Sequence, residues 1–134
     1  MPTQRQLLTI ATLAECLAGV ALMVTPDAGV TLLLGAEPGA VGSMVGRIAG
    51  VALLALGIAC WGARADSGGA AQRGTLRAIT IYNAGAGLLL IAFVATGKAY
   101  GVAVWIAGIL HLALAAWFAA SLWPLVRGST VRSG

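Results

Sequence analysis

Four apolar stretches, each long enough to cross a lipid bilayer, take up nearly all of this 134-residue chain. They run over residues 7–25, 45–63, 76–97 and 101–123. A hydrocarbon core about 30 Å thick needs about 20 apolar residues at a rise of about 1.5 Å each. Sixty per cent of the residues are apolar and 9% are charged, more apolar surface than a soluble domain of this size can hide. Backbone polar groups inside lipid must be satisfied within their own segment, so the spans are helices. The expected fold is an all-α, integral membrane four-helix transmembrane bundle, one domain over residues 1–134.

The basic residues give the expected orientation. Arg5 precedes the first span, Arg64, Arg73 and Arg77 bracket the loop between spans two and three, and Arg127 and Arg132 follow the fourth. Arg47 and Lys98 flank the other side, near Asp27 and Glu37. An excess of Arg and Lys marks cytoplasmic loops. Both termini are therefore expected in the cytoplasm of a bacterial cell, with the chain multi-pass in its inner membrane. Trp61 and Trp123 then fall near the inner interface, and Tyr100 and Trp105 near the outer one, as aromatic anchors. The positive net charge of +4 comes from membrane-end residues and not from a clustered basic face, so no nucleic-acid partner is expected.

The start of the chain lacks the small-x-small cleavage pattern of a signal peptide after Met23, so the first span is expected to be retained. Leu13-Ala14-Glu15-Cys16 has Glu where a lipobox needs a small residue, which argues against lipidation. Cys16 and Cys60 are too few for a disulfide framework or a metal motif. No metal site is expected.

Between the spans, residues 66–72 read as a flexible, glycine-rich connection, with Asp66 an acid that has no evident partner. Residues 26–43 are longer and contain Val30–Gly35, too short to span. This piece is expected to lie at the outer interface, helical or extended, and to end at Gly35 and Pro38.

The two halves of the chain resemble each other. Residues 49–56 match 107–114 at five of eight positions, and Thr12, Glu15 and Gly19 recur as Thr80, Asn83 and Gly87 at identical spacing. The recurrence predicts two repeated parallel helical hairpins. Chance similarity in a chain dominated by Ala, Gly and Leu is the alternative.

Lipid tails are as apolar as Leu, so helices associate in a bilayer through small residues that let backbones approach. Gly46, Gly50 and Gly57 in span two, with Gly42 if the helix starts early, and Gly85 and Gly87 in span three are the expected packing positions. They serve contacts within the bundle or, alternatively, between copies.

Few polar residues lie inside the spans. A charge at mid-bilayer costs several kcal/mol, on the order of 2.5–3.5 on insertion scales, and such a residue usually faces the bundle interior with a partner. Glu15 is the outstanding case, with Thr12 on its face. Asn83 and Tyr82 lie at similar depth in span three, and His111 near the middle of span four. These five residues form a candidate intramembrane ligand or proton site, if the helices bring them together. Three readings follow. Glu15, as the neutral acid, hydrogen-bonds Asn83 or His111 and sets helix register. Alternatively, Glu15 exchanges protons in transport. In the third reading the cluster holds a lipid, quinone or pigment. Arg47, at the outer end of span two, is expected to reach the interface and pair with Glu37, Asp27 or lipid phosphate. No catalytic residue is indicated, since HExxH, CxxC and phosphate-cradling loops are all absent.

Thr12-Leu13-Ala14-Glu15-Cys16-Leu17-Ala18-Gly19 resembles the first helix of the small multidrug resistance transporters. That resemblance implies that Glu15 couples protons to drug export. Over most of its length the chain is similar to small four-helix bacterial membrane proteins of the DoxX-like kind. The residues carrying this likeness are Pro26, Val30–Gly35, Arg47-Ile48-Ala49-Gly50 and Leu110-His111-Leu112. It implies an accessory subunit of a membrane redox complex and supplies no catalytic residues. The leading expectation is thus a non-catalytic accessory or assembly subunit of a larger membrane complex. Its partners would be the lipid bilayer and other membrane subunits or copies of itself, with no cofactor of its own.

Overall fold

The computed structural model describes residues 3–97 and 101–130, with side chains to residue 122. Lys98, Tyr100 and Arg132, and the side chains of Trp123 and Arg127, lie outside the described residues. Among the described residues five helices follow in order: α1 (Gln4–Val24), α2 (Pro26–Leu34), α3 (Gly39–Ala63), α4 (Ala70–Ala95) and α5 (Val102–Thr130). Four of them are long and apolar enough to cross a membrane, α5 over Val102–Leu122. The protein is an all-helical, multi-pass membrane bundle.

Local chemistry explains where the helices start and stop. Thr3 and Gln6 form a reciprocal cap on α1. The Thr3 hydroxyl accepts from the Gln6 N–H at 3.3 Å, and the Gln6 side chain accepts from the Thr3 N–H at 2.8 Å. At the other end Pro26 takes the first position of α2, where its missing N–H costs nothing. The short apolar segment is therefore a helix. It ends at Gly35, which adopts the left-handed conformation (φ 75°) and donates its N–H to the Thr31 carbonyl.

The connection before α4 is more ordered than its composition suggests. Asp66 accepts hydrogen bonds from the backbone N–H groups of Ala71 and Gln72 at 2.9 and 3.3 Å. It thereby satisfies donors that the first turn of a helix leaves free. Gln72, 2% exposed, accepts from the Gly68 N–H, and Arg73 donates to the Gly68 carbonyl. The expected flexible linker with a partnerless Asp66 is thus corrected: residues 66–69 form a capped turn, and α4 starts at Ala70 rather than near residue 76.

The spans pack as two antiparallel hairpins, α1 on α3 and α4 on α5. In the first, Gly19 and Gly50 meet. A methyl group added to either would lie 2.7 Å from the other's carbonyl oxygen. Further along, a methyl on Gly57 would meet Cys16 Sγ at 2.6 Å. In the second hairpin a methyl on Gly87 would lie 3.0 Å from the Gly108 oxygen and 2.8 Å from Leu112, and one on Gly108 would meet Ile91 at 2.7 Å. The contacts at the Gly19–Gly50 and Gly87–Gly108 crossings correspond under the sequence recurrence. Gly19 becomes Gly87, Met23 becomes Ile91, Gly50 becomes Gly108 and Leu54 becomes Leu112. The two hairpins repeat a crossing as well as a motif.

Both hairpins meet at the end of the bundle that carries Arg5, Arg64, Arg73 and Arg77. There Leu7, Leu8 and Ala11 of α1, Cys60 and Ala63 of α3, Leu76 and Ile79 of α4 and Phe118 of α5 form one buried core. The Gln4 side chain ties α1 to the Ser121 carbonyl of α5 at 3.0 Å. At the opposite end α2 packs on α1, α3 and α5. Its Pro26 is fully buried, and a methyl on Gly46 would meet it at 3.2 Å.

Two packing expectations divide here. Gly46, Gly50, Gly57 and Gly87 are buried at helix crossings. Gly85 is not a packing position within the chain, since a methyl there would meet nothing within 4 Å. It lies two positions before Gly87, which puts the pair about 200° apart around the helix.

Candidate functional site

The polar residues of the spans gather midway along the bundle, where the two hairpins face each other. Each helix spends its hydroxyls locally. Thr12 donates to the Leu8 carbonyl at 2.8 Å and Thr80 to that of Leu76 at 2.6 Å. Such bonds satisfy a buried hydroxyl without a second helix. The Thr12 proton is therefore spent within α1, which leaves its oxygen only as an acceptor.

Asn83 and His111 do come together, across the second hairpin. Asn83 is 1% exposed; its side-chain amide donates to the Ile79 carbonyl at 2.8 Å, and its oxygen lies 2.8 Å from His111 Nδ1. An amide flipped the other way would set two oxygens against each other at Ile79, so the observed orientation is the one that makes both bonds. It follows that His111 carries its proton on Nδ1 and donates it to Asn83. In the neutral imidazole Nε2 is then the acceptor, and no described residue bonds to it. Tyr82 stands edge-on to the imidazole, with ring centroids 5.8 Å apart at 85°.

Glu15 does not join this pair. It is 8% exposed, yet no described residue hydrogen-bonds its carboxyl, and neither expected bond, to Asn83 or to His111, is made. It does lie within electrostatic range of Cys60 and Tyr82. Under the repeat, Glu15 holds the position of Asn83, and Leu53 that of His111. The first hairpin therefore has an acid with an apolar residue where the second has a closed amide–imidazole pair.

Beside these residues runs an apolar cleft of about 410 Å³, lined by Leu22 of α1, Ala49, Ala52, Leu53 and Leu56 of α3 and Tyr82 of α4. It lies between the hairpins, and Tyr82 is its one polar lining residue. Nothing in the sequence marks Leu22, Ala49 or Ala52 as wall residues, because small and aliphatic side chains are everywhere in it. The recurrence of residues 49–56 in 107–114 was the nearest available signal.

Arg47 reaches neither Asp27 nor Glu37. Its guanidinium donates to the Met23 carbonyl in the last turn of α1, where a cation both fills a free acceptor and opposes the helix dipole. The expected ion pair is replaced by a helix cap that joins α3 to α1. Asp27 instead accepts from the Ser43 hydroxyl, and the two line a recess of about 600 Å³ with Thr31, Glu37, Pro38 and Gly39. Trp61, half exposed, carries the Arg64 guanidinium 3.1 Å from its ring centre, as suits a pair at a membrane interface. Among the described residues no group of three or more His, Cys, Asp or Glu side chains is placed to hold a metal ion.

Fold and site together define a four-span membrane bundle with an aromatic and polar centre between two repeated hairpins. Comparison of the chain with models of known protein families, with curated proteins and with solved structures finds no match.

Proposed function

We propose that the protein is a non-catalytic accessory or assembly subunit of a larger complex in a bacterial inner membrane, its arginine-rich end and both termini on the cytoplasmic side. The observation that carries this reading is the outward face of α4. Gly74, Ala78, Ile81, Gly85 and Ala92 lie opposite the inward stripe of Leu76, Ile79, Asn83 and Gly87, and methyl groups on Gly74 and Gly85 would meet nothing within 4 Å among the described residues. Small residues are what this protein uses wherever its own helices cross closely. The same device turned outward is what a second transmembrane helix needs for close approach.

Native extraction followed by sizing tests this reading. The wild-type chain is expected to migrate inside an assembly larger than itself. Gly85→Leu is expected to release it as a folded monomer, because a Cβ at that position meets nothing within 4 Å among the described residues. Migration of the wild type as a free monomer would overturn the proposal. So would an assembly that Gly85→Leu leaves intact.

A further inference from the structure

The exposed side of the first hairpin carries two recesses along one face of α1. The first, of about 410 Å³, is lined by Arg5, Gln6, Thr9 and Ile10. The second is an apolar groove of about 480 Å³, where Leu13, Cys16, Leu17 and Val20 of α1 stand beside Ile58 and Trp61 of α3. Arg5, Thr9, Cys16 and Val20 are spaced by four, seven and four residues, which keeps them within about 60° of one another around the helix. The face therefore turns from polar to apolar as it leaves the arginine-rich end. From Thr9 to Val20 it runs about 16 Å at a rise of about 1.5 Å per residue, close to half of a hydrocarbon core about 30 Å thick. That is the depth of one leaflet.

The polar end of this face is cationic. Arg5 is exposed and lines the first recess, and no acid lines either one. Arg64 lies at the same end, its guanidinium 3.1 Å from the centre of the Trp61 ring that lines the groove. It donates one N–H to the Trp61 carbonyl, and a guanidinium has five. The ring and that bond hold the remaining donors as a fork, the geometry that suits a phosphate. Basic pockets at transmembrane helices are recurrent binding places for anionic lipid headgroups. The groove walls bear branched side chains, which keep a second helix at a distance, in contrast to the small residues on the outward face of α4. A flexible acyl chain needs no such close backbone approach.

We infer that this α1–α3 face binds an anionic phospholipid from the leaflet at the arginine-rich end. Its phosphate sits at Arg5, with Arg64 as the second cation, and an acyl chain lies along the groove against Trp61. The site uses neither the outward face of α4 nor the assignment of that end to the cytoplasm, so it stands or falls separately from the accessory-subunit reading.

The full-length protein labelled with 5-fluorotryptophan carries four fluorines, and Trp61→Phe identifies the Trp61 resonance. In phosphatidylcholine nanodiscs, stepwise replacement of the lipid by phosphatidylglycerol with the same acyl chains is expected to move that resonance saturably. Arg5→Gln is expected to weaken the apparent affinity about fivefold, the worth of about 1 kcal/mol per arginine near a membrane surface. Arg77→Gln removes an arginine that is also exposed at the same end but lines neither recess, and is expected to leave the affinity unchanged. Glycerophosphoglycerol, the headgroup without chains, is expected not to move the resonance at millimolar concentration, which separates a lipid from a free phosphate group. The absence of a saturable shift, equal losses in Arg5→Gln and Arg77→Gln, or a response to the headgroup alone would each overturn the inference.

Discussion

The two hairpins share a crossing and differ in what holds it. In α1–α3 the approach is backbone to backbone: Gly19 and Gly50 leave no room for a methyl, and the polar residue at mid-depth, Glu15, has no described partner. In α4–α5 the equivalent glycines stand slightly further apart. A methyl on Gly108 would lie 3.5 Å from the Gly87 oxygen, and the Asn83–His111 hydrogen bond spans the helices instead. Both are ways to join helices where burial alone gives no driving force. The first relies on many weak contacts at close range. The second relies on a directional bond that also sets the state of a titratable ring. The comparison teaches that a repeated backbone can be tight on one side and chemically equipped on the other.

The largest effect is expected where the comparison is most direct, at Gly50 and Gly108. A methyl on Gly50 meets the Gly19 carbonyl and the Met23 backbone, which cannot move aside. A methyl on Gly108 meets chiefly the end of the Ile91 side chain, which can. Gly50→Ala is expected to cost about 3 kcal/mol and Gly108→Ala about 1 kcal/mol, the two ends of the range for overpacking. Equilibrium unfolding in mixed micelles measures both. Equal costs would break the claim that the first hairpin is the tighter one.

Next in size is Asn83→Leu, which strands the His111 Nδ1–H. Its expected cost is about 2 kcal/mol, that of leaving a buried donor unmade. The double variant Asn83→Leu/His111→Leu, which makes the second hairpin as apolar as the first at that level, is expected to recover most of the loss. A double variant no more stable than the single one would mean that the pair does not act as a unit.

Smallest, and opposite in sign, is Glu15→Leu. Glu15 is 8% exposed and no described residue hydrogen-bonds its carboxyl, so replacing a polar group at that depth by an apolar one is expected to raise stability by about 1 kcal/mol in the same unfolding assay. A loss of similar size would show that Glu15 has a partner that matters to the fold, and would bring the first hairpin closer to the second.

Much of this was legible from residue types alone. The four spans follow from hydropathy; the short piece in the 26–43 segment was legible as helical or extended, ending at Gly35 and Pro38, and the structure makes it the helix α2. The recurrence of Thr12, Glu15 and Gly19 as Thr80, Asn83 and Gly87 anticipated which residues would sit at equivalent crossings. Other features were hidden for physical reasons. Asp66 looked partnerless because a carboxylate that caps a helix five residues on leaves no motif, only a distance. Arg47 looked like half of an ion pair because proximity in sequence to Asp27 and Glu37 says nothing about which carbonyl lies nearest in space. Gly85 and Gly87 look alike in a sequence, and only their angle around the helix sends one to lipid and the other to α5.

The sequence by itself determined the solvent, the number of spans and the small set of residues able to do chemistry in lipid, because hydropathy and helix length depend only on residue type and order. Tertiary structure alone decided which of those residues meet. It joined Asn83 to His111 and so chose the imidazole tautomer, left Glu15 outside that pair, and opened a cleft at Tyr82. A hydrogen bond across helices depends on rotation and depth to within an ångström, and a helical pattern repeating every 3.6 residues does not carry that information.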